Sequence, residues 1–177
     1  LGLYTIKSQM EDLIFKYTDP KHYYEIKDLM GQTIVARQAY MDAFVAPIQK
    51  RLEELPLRWP YTIKSRSKTF TSIMNKMRNK GVAFEEIHDL SAMRIIIDAP
   101  PEEEYEACWL VYSIVTDLYT PNTKRLRDWI SQPKANGYES LQITVQGPEG
   151  KSVEIQIRTT RMDRIAESGM AAHWRYK

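Results

Sequence analysis

A chain of 177 residues, 43% hydrophobic and 27% charged with a net charge of +2, has the composition of a soluble folded domain. It excludes a disordered chain, and no apolar run approaches the roughly 20 residues that cross a bilayer. One cysteine, Cys108, excludes an internal disulfide framework and points to a reducing compartment, with the cytoplasm expected.

The chain opens at Leu1 and runs directly into a helical pattern with no visible signal peptide, which reads as a piece of something longer. From Tyr4 to Leu55 the periodicity is helical. Ile6, Met10, Leu13 and Ile14 share a stripe, and a long second run begins near Pro20. Pro47, Pro56 and Pro60 are expected to interrupt it. Residues 1–60 therefore read as a helical extension and 61–177 as the unit carrying chemistry.

Between Tyr61 and Lys80 stand Lys64, Arg66, Lys68, Lys76, Arg78 and Lys80 with no acidic residue, a patch suited to an anionic partner or to a solvated face. From Ser65 to about Lys80 the spacing predicts a helix, with Phe70, Ile73, Met74 and Met77 inward and Lys68, Ser72 and Lys76 stacked on the other side. Ser65 or Ser67 is expected to cap it. Arg66, Lys68 and Ser72 near that end form either a phosphate cradle or an ordinary surface; spacing alone leaves both open.

In "IHDLSAMRIII", Asp89 precedes a strand at Met93 to Ile97, as a helix cap or as a metal-holding carboxylate. A helix follows from about Glu102 to Leu118. The loop "QPKANGYESL" sets Lys134, Asn136, Gly137 and Tyr138 at the entrance of another strand, where turn chemistry alone accounts for "ANG".

The clearest signal is the hairpin. Leu141, Ile143 and Val145 alternate with polar residues, as do Val153, Ile155 and Ile157 beyond "GPEG". Keeping both apolar sets on one face pairs Gln142 with Gln156 and Thr144 with Glu154 across a loop of Pro148, Glu149 and Gly150. The opposite face is polar throughout, and Glu154 on it is the natural second carboxylate beside Asp89. Two acids near a Lys and Arg cluster suggest metal-assisted phosphoryl or pyrophosphoryl transfer. Thr160 and Asp163 stand at capping-box spacing for a last helix running to His173 or beyond. "GPEGKS" is a hairpin tip rather than a Walker loop, and His22, His88, His173 and Cys108 lack zinc-ligand spacing.

Taken in order, "RSKTFTSIMNKM", "IHDLSAMRIII", "RLRDWISQPKANGYESL", "VEIQIRT" and "MDRIAESGMAAHW" resemble the synthetase domain of the RelA/SpoT alarmone enzymes, over roughly Tyr61 to Lys177. "LGLYTIKSQMEDLIFKYTDPKHYYEI" resembles the segment that follows the hydrolase domain in long members. The resemblance implies an α/β fold similar to nucleotidyltransferases, a mixed sheet of about five strands flanked by helices. It also implies Mg²⁺-dependent transfer of pyrophosphate from ATP to the ribose 3′-hydroxyl of GDP or GTP.

By that resemblance Arg66 and Arg125 sandwich the adenine, with Arg127 on the same ATP side, and Lys68, Ser72 and Lys76 meet the ATP phosphates. Asp89 holds Mg²⁺, and Glu154 activates the 3′-hydroxyl with a share in the metal. Lys134, Asn136 and Tyr138 form the guanosine site, with Gln142 and Gln156 beside it. Two positions depart from the family: Arg127 stands where long bifunctional members carry lysine, and Gln142 stands where a histidine is usual. Regulatory-domain or ribosome contacts belong to a longer protein, and no membrane or direct nucleic-acid binding is expected of this piece. The rival readings are a nucleotide-sensing domain weakened in turnover through Gln142, and an RNA-binding module using the basic patch.

Overall fold

The computed structural model describes residues 4–55, 57–84, 87 and 91–168, with the backbone alone at 4, 5, 32–34, 66, 67, 91 and 168. Two helices lead: α1 (Tyr4–Thr18) and α2 (Pro20–Glu54). There follow β1 (Tyr61–Ser67), α3 (Phe70–Lys80), β2 (Ser91–Ile97), α4 (Glu104–Leu118), β3 (Arg127–Asp128), β4 (Leu141–Gln146), β5 (Ser152–Thr159) and α5 (Thr160–Ser168). No described helix is long and apolar enough to cross a membrane.

The strands form one five-stranded sheet in the order β1-β2-β5-β4-β3. Only β2 and β5 run parallel; the other neighbours are antiparallel, so the sheet is mixed, as the sequence predicts. The hairpin register is also as predicted, with Gln142 opposite Gln156 and Thr144 opposite Glu154. At its tip Gly147 N donates to Lys151 O at 2.8 Å, and Glu149 and Gly150 both adopt positive φ. Glycine removes the steric penalty at only one of those two positions.

Odd-numbered strand residues make the apolar face: Met93, Ile95 and Ile97 on β2, Val153, Ile155 and Ile157 on β5, and Leu141, Ile143 and Val145 on β4. They share one core with Met41, Phe44, Ile48 and Leu52 of α2 and with Ala107, Cys108, Val111, Ile114 and Val115 of α4. Each large side chain withdrawn from water there contributes about 1.5–3 kcal/mol. That burial explains why α2 continues through Pro47 to Glu54 rather than ending there, contrary to the expected interruption. The lost backbone donor is offset by Phe44, Ile48 and Leu52, all nearly inaccessible on the strand-facing side.

A second core gathers Phe15, Ile26, Ile73, Met74, Phe84 and Ile87, joining α1 and the start of α2 to the predicted inward face of α3. The stripe read along α1 points elsewhere: Ile6 is 48% and Met10 56% exposed, while Phe15 takes the inward position.

Two helix starts differ from expectation. The segment "YTIKSRS" is strand β1, so Ser65 and Ser67 do not cap α3. Thr69 does, its hydroxyl accepting from Ser72 N at 3.2 Å. At α5 the cap is Thr159, whose hydroxyl accepts from Met162 N at 3.4 Å, and Asp163 turns to two arginines instead of closing a box with Thr160. The expected continuation to His173 lies outside the described residues.

Candidate active site

Side chains paired across neighbouring strands point to the same side of a sheet. The register therefore draws continuous rows on the polar face. One row runs Lys64, Arg94, Gln156, Gln142 and Arg127 across all five strands. The next runs Arg66, Ala92, Glu154 and Thr144. Residues from five separate strands are thus brought into adjacent lines, with Glu154 diagonal to both Gln142 and Arg94.

Glu154 is half-buried and accepts from Gln156 Nε2 at 3.2 Å. Its small neighbours in the row, Ala92 and Thr144, keep the surroundings of the carboxylate low. Asp89 lies outside the described residues, as does the side chain of Arg66, whose backbone position in the Glu154 row is given by β1.

The start of α3 modifies the expected phosphate cradle. Asp12 of α1 accepts from Thr71 N at 2.8 Å, from Phe70 N at 3.3 Å and from the Thr71 hydroxyl at 2.7 Å. With Ser72 N given to Thr69, the first-turn donors of α3 are taken by the chain's own oxygens. The backbone donors of this helix terminus are thus satisfied, and what the start of α3 presents beyond them is side chains. Lys68 belongs to the β1–α3 junction, so only Ser72 and Lys76 stack along the helix. All three are half-buried, and the Ser72 oxygen lies 2.7 Å from the donating Thr69 hydroxyl.

At the other edge, Arg125 ends a 3-10 turn (Thr123–Arg125) and is exposed. Arg127, also exposed, donates through Nη1 to the carbonyls of Lys124 at 3.0 Å and Leu126 at 2.8 Å.

The loop before β4 divides its labour. Gly137 has φ +75° and its N–H donates to Lys134 O at 2.8 Å; Asn136 Oδ1 accepts from Tyr138 N at 3.2 Å, an Asx turn. Those two residues shape the loop. Lys134 Nζ sits 4.7 Å from the Trp129 ring centroid and 5.2 Å from that of Tyr138, within cation–π range of both. The half-buried Tyr138 ring is fixed at its far end by Gln142, whose Nε2 donates to the phenol oxygen at 2.8 Å. The ammonium, the aromatic ring and the Gln142 carboxamide thus form one connected group, and Gln156, paired with Gln142, leads on to Glu154.

Two arginines on this face were not singled out by motif reading. Arg158 is 1% exposed; its Nε donates to Asp163 Oδ1 at 2.8 Å, and Nη2 lies 2.5 Å from the same oxygen. Arg94 Nη1 donates to Asp163 at 3.2 Å and to Glu167 at 2.9 Å. Burial, then the neighbouring Arg94, lower the Arg158 pKa, while Asp163 pulls it back up. Two acids against two guanidiniums keep this end of the face near neutrality. The signal was in the strands themselves: both arginines fall in the polar phase of an apolar alternation.

Residues 65–177 match the family model described as a region found in RelA / SpoT proteins. The whole chain is 39% identical over 178 aligned residues to a guanosine-3′,5′-bis(diphosphate) 3′-pyrophosphohydrolase of Aquifex aeolicus, covering 25% of it. It is 41% identical over 177 residues to the bifunctional (p)ppGpp synthase/hydrolase RelA of Mycobacterium tuberculosis, covering 23% of that protein. The chain thus spans about a quarter of the length of these curated relatives. Among solved structures, the small alarmone synthetase 2 of Bacillus subtilis superposes with a TM-score of 0.64 at 30% identity, over 84% of this chain and 80% of that one. Small alarmone synthetase 1 of the same organism, bound to its product pppGpp, gives 0.58 at 25% identity, over 85% and 82%.

Proposed function

The chain belongs to the RelA/SpoT family, and from that premise we propose that it transfers pyrophosphate from ATP to the ribose 3′-hydroxyl of GDP or GTP. The observation that carries the reading is the pair of rows on the polar face, which sets Glu154 next to Gln156 and diagonal to Gln142, the residue that holds the Tyr138 hydroxyl. The half of the site on the β1 side would hold the donor, with Lys68, Ser72 and Lys76 on the phosphates and Arg66 at the adenine, while Arg125, which the resemblance also gives to the adenine, and Arg127 on the ATP side stand at the opposite, β3 edge of the sheet. The other half would hold the acceptor, with guanine stacked on Tyr138, Lys134 on its phosphates, and Asn136, Gln142 and Gln156 lining the ribose side.

In this reaction the 3′-oxygen attacks the β-phosphorus of ATP, the bond between that phosphorus and the α–β bridging oxygen breaks, and AMP leaves. Glu154 takes the hydroxyl proton, for which a half-buried carboxylate that accepts from the Gln156 carboxamide is suited. Lys134, Lys68 and Lys76 bring two polyanions together by offsetting their repulsion. Hard carboxylate oxygen at Glu154 fits Mg²⁺, which Asp89 and Glu154 would hold. When bound, that ion supplies charge neutralisation on the transferred phosphates.

The presence of Gln142 where the resemblance calls for histidine favours a second reading, a nucleotide-binding regulatory domain with little turnover. Incubation with ATP, GDP and Mg²⁺, with products resolved chromatographically, tests the first reading. Calorimetric titration of GDP beside a non-hydrolysable ATP analogue tests the second.

A further inference from the structure

Outside the polar face a second charged cluster ties three elements together. Glu104, the first residue of α4, is 5% exposed, and its carboxylate takes both Nε and Nη2 of Arg161 in the first turn of α5, at 2.9 and 2.6 Å to Oε2. The Thr159 hydroxyl adds a third bond at 2.6 Å. A buried carboxylate so held fixes the guanidinium in turn, because moving either partner leaves a charge uncompensated. The same Arg161 Nη2 also donates to Glu139, and Glu139 is the residue after Tyr138. On the following residue, Ser140 is fully buried and its hydroxyl donates to Ile157 O at 3.2 Å.

The loop that carries Lys134 and Tyr138 is therefore pinned at its root by β5 and clasped from outside by Arg161. Further ties among the described residues are the internal turn, the Trp129 N–H to Ser140 carbonyl bond, the Lys134 ammonium over the Trp129 ring and the Gln142 bond. The Glu139 carboxylate meets Arg161 of the α4–α5 cluster.

We infer that Arg161 and Glu139 form a clasp that positions the Tyr138 loop, so that an ion pair outside the cleft sets how tightly the acceptor nucleotide is held. Both are positioning residues. The inference rests on the reading of that loop as the guanosine site. Glu104 and Arg161 form the fixed half, and Glu139 is the releasable half.

Glu139→Ala tests it without disturbing the buried Glu104–Arg161 pair, and Glu139→Gln keeps the shape while removing the charge. Hydrogen exchange on the nucleotide-free 177-residue chain should show faster exchange over residues 134–139 in Glu139→Ala, a smaller change in Glu139→Gln, and unchanged protection in β5. In turnover with ATP and GDP, the apparent KM for GDP should rise about fivefold in Glu139→Ala, the upper scale of a partly exposed ion pair, while kcat and the KM for ATP stay within about twofold. Unchanged loop exchange, or KM values for ATP and GDP rising together, would overturn the clasp. If the native chain neither binds nor converts nucleotide, the functional reading falls on its own. Loop exchange then decides the clasp: faster exchange in Glu139→Ala supports it and unchanged exchange refutes it.

Discussion

Gln142 on β4 donates its side-chain amide to the Tyr138 hydroxyl at 2.8 Å, so the carboxamide that replaces the family's usual histidine is engaged in fixing the aromatic ring. A histidine at this position can still donate to the phenol when neutral and adds positive charge when protonated, with an ordinary pKa near 6.5. Gln142→His should therefore raise kcat/KM for GDP relative to the native chain, and the ratio should grow as pH falls from about 8 to about 6. A ratio that is flat across that range would show that charge at position 142 has no part in acceptor use.

The ring and the hydroxyl of Tyr138 can be separated. Tyr138→Ala should weaken GDP binding by about 1–3 kcal/mol through lost stacking. Tyr138→Phe, which loses only the bond from Gln142, should cost about 1 kcal/mol. Titration calorimetry with each nucleotide reads both, and binding of the ATP analogue should barely change. Equal losses for the two nucleotides would assign Tyr138 to the fold.

Asp12 tests the long-range cap on α3. Asp12→Ala removes the acceptor for Phe70 N and Thr71 N and should lower stability by about 1–2 kcal/mol in urea denaturation. Asp12→Asn, which keeps one acceptor oxygen, should cost less. An undiminished midpoint in Asp12→Ala would mean that water replaces the carboxylate at no cost.

Gly147 records how closely α2 approaches the hairpin tip. A Cβ built there would lie 2.6 Å from the Tyr40 hydroxyl and 3.0 Å from the Phe44 ring. Gly147→Ala should destabilise by about 1–3 kcal/mol, and Tyr40→Phe in the same chain should restore part of the loss by removing the nearer atom. Thermal denaturation of the two single variants and the double variant gives the coupling directly.

How much of this was legible depended on whether the information was local. The β4–β5 register followed from period-two alternation and the parity of a three-residue loop, and the inward face of α3 followed from helical spacing. Strand β1 was concealed because "YTIKSRS" alternates only through Tyr61 and Ile63 before running into polar residues that also suit a helix. Arg94 and Arg158 become neighbours only through the parallel pairing of β2 with β5. Asp12 on α3, Asp163 on Arg94, and Arg161 between Glu104 and Glu139 are likewise contacts between distant segments. Local pattern placed the residues of β4, β5 and α3 on the right faces and missed the inward face of α1; tertiary pairing determined which charges meet and brought Asp12 to cap the start of α3.

The most direct measurement is product formation by the native chain and by Glu154→Gln under saturating ATP, GDP and Mg²⁺, with GDP binding measured in parallel. The native chain should release AMP and the 3′-pyrophosphorylated guanosine nucleotide in equal amounts, and Glu154→Gln should lose product formation almost entirely while still binding GDP. No product from the native chain, or undiminished synthesis by Glu154→Gln, would contradict the account.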